Sequence, residues 1–151
     1  MILAVIMCGL AVVIARPVSA AGAAYAARCA VCHRAAAEGV AGQFPRLAGR
    51  TAAIAQTPDG RAYLARVVLH GMLGTIDVDG RTITGLMPGM ATMNDADIAE
   101  AINHALVAGT PDKPAKPFTA TEIAAVRAAG KVSMGKNAEL RMQLVKAGAI
   151  K

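Results

Sequence analysis

The sequence predicts an all-α protein of four to five helices interrupted by one small β-hairpin. Three observations carry that expectation. Alanine-rich segments and apolar residues spaced three and four apart recur along the 151 residues, the pattern of helices that bury one face. A single stretch, Thr75 to Thr84, alternates apolar and polar residues around Asp79-Gly80, as a tight hairpin does. Glycines and prolines between these segments forbid one long helix.

Taken in order, Met1 to Ala15 is an almost unbroken apolar run, followed by Arg16-Pro17 and the small-x-small Val18-Ser19-Ala20. Residues 1–20 therefore read as a signal peptide cleaved near Ala20. The run is shorter than the roughly 20 apolar residues of a membrane span. No Lys or Arg precedes it, so a displaced start codon and an uncleaved, membrane-anchored leader stay open. Residues 21–130 read as one domain and 131–151 as a basic tail.

Gly22 to Arg34 reads as the first helix, rich in good helix formers, with Tyr25 one turn before Cys29 and on its face. Glu38 to Gly49 is a loop broken by Gly39, Gly42 and Pro45. Thr57-Pro58-Asp59-Gly60 starts a helix that runs to His70 and stops at Gly71; His70 suits the negative end of the dipole as a cap. The hairpin is the only β structure expected. Asn94, with Asp95 and Asp97 in the first turn, opens a helix through Leu106. Gly109 to Pro117 is an extended strap, and Thr119 with Glu122 forms a capping box before a short helix closed by Gly130. In the tail, Leu140, Leu144 and Val145 share one possible helical face. Fraying, packing back and contact with a partner all remain open for it.

The chemistry sits at Cys29-Ala30-Val31-Cys32-His33. Two cysteines three apart with a histidine after the second match the pattern of covalent haem attachment. Each thiol adds across one porphyrin vinyl group, and the adjacent His33 offers an imidazole nitrogen to the iron. A thioredoxin-type CxxC would sit in a βαβ setting, whereas these flanks read as helix. A zinc site needs about four ligands, and cleavage of the leader, which carries Cys8, leaves only Cys29 and Cys32 of the three cysteines.

A thioether is a soft, neutral iron donor. Met72, Met87, Met90 and Met93 are the candidates. Met87 precedes Pro88, whose fixed φ stiffens the backbone next to the sulfur; Met90 is the second choice, and the others read as pocket lining.

Composition narrows the function. With two Tyr, two Phe and no Trp, the chain buries a thin core, which a large apolar prosthetic group would complete. The net charge of +6 becomes +5 without Arg16, from 15 basic and 10 acidic residues. That mild excess suits docking on an acidic protein partner. No basic cluster with interleaved aromatics speaks for nucleic acid.

From Gly22 to Arg127 the order of features resembles the class I c-type cytochromes. These features are the helix with Tyr25, CxxCH, Phe44-Pro45-Arg46-Leu47-Ala48-Gly49, the helix ending His70-Gly71, the hairpin, Met87-Pro88 and a capped final helix. The variant with a hairpin before the Met-Pro step is most similar to small periplasmic cytochromes and cytochrome subunits of bacterial dehydrogenases and oxidases. The resemblance implies a cytochrome c fold around one covalent haem c, held by Cys29 and Cys32, with His33 and Met87 as axial ligands. It implies that the Pro45 carbonyl orients His33 and that Leu47 lies on the ring; His104 departs from the aromatic the family usually has there, packed on the first helix, and reads as a partner for Tyr25. It further implies export to the periplasm, where such haem is attached.

The function so implied is one-electron transfer between a dehydrogenase donor and an oxidase or reductase acceptor, without catalysis by the chain itself and without a transmembrane span after leader removal. Two alternatives stand beside it: a haem-bearing subunit of a dehydrogenase complex, and a haem enzyme or gas sensor with an open sixth iron position.

Overall fold

The computed structural model describes residues 22–150; the leader read at 1–20 lies outside them. In chain order the elements are α1 (Ala23–Arg28), α2 (Ala30–His33), α3 (Arg50–Ile54), α4 (Pro58–His70), β1 (Met72–Val78), β2 (Arg81–Met87), α5 (Asp95–Val107), α6 (Ala120–Ala128) and α7 (Met134–Lys146). The fold is the helical one expected, with a two-stranded antiparallel hairpin. More helical segments are found among the described residues than the four to five expected. The first helix is broken at Cys29, and α3 is a short turn with too few residues to show a periodic pattern.

The helix starts obey local chemistry. The side chains of Thr57, Asn94, Thr119 and Ser133 accept the backbone N–H three residues on, from Gly60, Asp97, Glu122 and Lys136. Each bond satisfies one of the N–H groups that a helix start leaves without a partner.

The strands run three residues further at each end than Thr75–Thr84, so Met87 ends β2 instead of following the hairpin. Gly74 faces Gly85 in the register, and with no side chains there the alternation is masked in the sequence. Beyond them Leu73 pairs with Leu86 and Met72 with Met87. Pro88, without an N–H, then ends the ladder. A further β feature is an isolated bridge between Val40 and Phe44 inside the loop.

α5 is the central helix, packed against α1, α3, α4 and α6. The core is three small clusters, as the scarcity of large side chains requires. One joins Leu69, Ile98, Ile102, Leu106, Phe118 and Ile123; a second holds Tyr25, Ala37, Ala48, Ala101 and Ala105; a third Ile54, Tyr63, Val67, Leu144 and Ile150. The strap is pinned where Asn103 exchanges two hydrogen bonds with the backbone of Phe118, at 2.7 and 2.9 Å.

The tail packs back. α7 lies on α4 and β1 and buries Asn137, Arg141 and Leu144, whereas Val145 is exposed. Its inward face is thus set one step round from the purely apolar one.

Candidate haem site

The three clusters surround a common space. Ile102 from the first, Tyr25, Ala101 and Ala105 from the second, and Ile54, Tyr63 and Val67 from the third line an apolar crevice. A second opening adjoins it, walled by the hairpin and the loop around Phe44. His33, Pro45, Met72, Ile76 and Met87 line both. Cys29 opens on the first and Cys32 on the second.

His33 is 6% exposed at the end of α2. Its Nδ1 lies 2.9 Å from the carbonyl oxygen of Pro45. A carbonyl only accepts, so Nδ1 carries the proton and the Nε2 lone pair is left for a metal. Burial lowers the pKa of the ring against the opposing pull of the Pro45 bond, which favours the neutral, ligating form. The loop delivers that carbonyl because it is braced at both ends. Gly39 N–H donates to His33 O at 3.0 Å, and the N–H groups of Leu47 and Ala48 donate to Ala37 O at 2.8 and 2.9 Å.

Cys29 and Cys32 are both half-buried free thiols. Burial, then the nearby Glu100 and Cys32, push the Cys29 thiol up to about 11, so it is protonated at neutral pH. Leu47 lines the first crevice. Met87 lines both, while Met90 lines neither and is tied to α4 through its N–H on Val68 O at 2.8 Å. Met93 packs against the first core cluster. His70 closes α4 ahead of the Gly71 cap and lines neither crevice. His104 stacks on Tyr25 with ring centroids 4.2 Å apart, the partner expected for it.

Sequence reasoning missed several wall residues. Arg50 and Arg141 bring guanidinium groups to the first crevice. Arg141 is 6% exposed and donates to Asp77 O at 3.2 Å. Its one sequence signal is a spacing of four from Asn137 and three from Leu144, and a charged residue there reads as solvent-facing until α4 and β1 are seen to cover it. Tyr63, with its hydroxyl 3.6 Å from the Met72 sulfur, looks in the sequence like one more apolar position of α4.

The comparisons agree with this architecture. The family model for cytochrome c matches residues 19–106. Cytochrome c-552 of Thermus thermophilus is 41% identical over 110 residues, covering 71% of this chain and 84% of that protein. A second cytochrome c-552, from a particular strain of the same species, is likewise 41% identical over 110 residues, with 71% and 74% covered. A match over more than half the chain, joined to a relative of that identity and coverage, places this protein in the cytochrome c family, as an electron carrier with covalently bound haem c.

Proposed function

We propose that His33 and Met87 are the two axial ligands of the haem, that Cys29 and Cys32 attach it, and that the protein shuttles single electrons in a periplasmic chain. The observation that carries this reading is convergence: an oriented imidazole, both thiols and the Met87 side chain open on the same pair of joined crevices.

The residues present fit the group. The walls are mostly apolar, which suits a porphyrin and keeps water from the metal, while Arg50 and Arg141 offer positive charge to its carboxylates. When bound, the haem iron takes up and releases one electron. The chain's part is to hold its donors still. Pro45 fixes the His33 ring, and Pro88 stiffens the backbone after Met87. Two filled axial positions leave no place for a substrate, so the chain is a carrier rather than an enzyme on this reading.

Residues 1–20 are read as a leader removed on export and 21–130 as the haem-bearing domain. No helix among the described residues is long and apolar enough to cross a membrane.

Intact mass of the exported protein tests attachment and the N-terminus together. Nuclear magnetic resonance of the reduced protein tests the ligand, because the porphyrin ring current shifts the methyl group of a bound methionine far upfield. Assignment of that methyl to Met87 is expected, and assignment to Met90 would overturn the choice. Purification as a lone monomer, without a larger dehydrogenase, supports the shuttle over the subunit.

A further inference from the structure

Met72 is the direct cross-strand partner of Met87. Residues opposite each other in an antiparallel pair project to the same face, with Cα atoms about 4.5 to 5.5 Å apart. Here that face is the crevice wall: both methionines are half-buried and both line the two openings on which His33 stands. Met90 and Met93 have no such place. The base of the hairpin therefore presents a pair of thioethers to one cofactor position, where a single one would serve.

One group distinguishes them. Tyr63 is 4% exposed, and its hydroxyl lies 3.6 Å from the Met72 sulfur, an ordinary reach for an atom as large as sulfur. A thioether has no proton to give, so the phenol O–H is the donor and the Met72 sulfur the acceptor. A sulfur that accepts a hydrogen bond is a poorer donor to a metal. We infer that Met72 is a reserve axial ligand for the position held by Met87, and that the Tyr63 hydroxyl, bonded to the Met72 sulfur, biases the choice toward Met87.

The exchange is balanced. One sulfur–metal dative bond is lost and one is formed; both thioethers are neutral, so neither the charge of the site nor the oxidation state of the metal changes. The inference rests on the His33/Met87 reading of the site, and it makes Tyr63 a positioning residue.

The test uses the haem-loaded, exported full chain and the upfield methionine methyl signal. Met87→Leu, which keeps the volume of the wall, is expected to retain such a signal, now assigned to Met72. Met72→Leu with Met87→Leu is expected to lose it. Adding Tyr63→Phe to Met87→Leu frees the Met72 sulfur and should weaken the binding of added imidazole to the ferric protein about fivefold, the worth of one ordinary hydrogen bond. If Met87→Leu shows no bound methionine, and binds imidazole as readily as the double variant, Met72 is only wall and the inference fails while the Met87 reading stands. A signal assigned to Met72 in the unmodified protein overturns both. Equal imidazole affinity with and without the Tyr63 hydroxyl removes the biasing role.

Discussion

Asn137 Nδ2 donates a 2.6 Å hydrogen bond to the carbonyl oxygen of Gly71, and this bond fastens the C-terminal helix to the corner that carries Met87. Gly71 has φ of +77°, and a Cβ there would strike the backbone of Met87, Pro88 and Gly89. The same Asn137 reaches Arg66 O at 3.3 Å and is fully buried. Asn137→Ala leaves a buried carbonyl without its donor, a loss of about 2 kcal/mol. Chemical denaturation of the haem-loaded protein checks it, and an unchanged midpoint would show that α7 is not anchored there.

Arg127 of α6 performs the matching task on the other side of the Met87 segment. It donates to Ala91 O at 2.7 Å and Met93 O at 2.8 Å, and pairs with Asp95 at 2.8 Å. Arg127→Lys keeps the charge but cannot span three acceptors with one planar fork. We expect faster amide hydrogen exchange across 90–95 and a stability loss of about 1 to 2 kcal/mol. Exchange rates identical to those of the unmodified protein would refute the clamp.

The Arg61–Glu122 pair supplies a pH dependence with a definite sign. Arg61 donates to both carboxylate oxygens of Glu122, at 2.8 and 2.7 Å, and these bonds hold the carboxyl below its usual range against the opposing effect of burial. The unfolded chain then binds the proton first as pH falls. The pair's contribution is complete above the ordinary carboxylate value of 4.5 and is lost as pH drops through the depressed one. Glu122→Gln should cost about 1 kcal/mol near neutrality and nothing in strong acid. Denaturation curves of the two proteins across that range read the difference directly, and a gap that stays constant with pH would exclude the ion pair as its source.

Covalent attachment is checked most directly at the thiols. Cys29→Ala or Cys32→Ala alone should leave one thioether bond, so the haem mass stays with the chain after denaturation in acid. The double variant should release it. Haem retained in the double variant would mean that the link lies elsewhere.

Much of the site is local in the chain and was legible there. His33 follows Cys32 directly, and the glycines before Pro45 marked a loop; the 2.9 Å contact of its carbonyl with His33 was expected from the family resemblance. Asp79-Gly80 announced the hairpin turn, and Thr57, Asn94 and Thr119 announced their helices, because a cap uses atoms within three residues of itself. The base of the hairpin was harder to read, since the Gly74–Gly85 pair interrupts the alternation that would have revealed it.

What the sequence by itself determined is the identity of the attachment motif, the helical class and the one reversal of chain. The tertiary structure alone decided that Arg141, in a basic tail, turns inward to bond the Asp77 carbonyl, and that Met72 stands across from Met87. The physical reason is one of range. Capping, turn formation and CxxCH spacing are settled within a few bonds, whereas the burial of a guanidinium or the pairing of two sulfurs depends on which distant surface arrives to cover it.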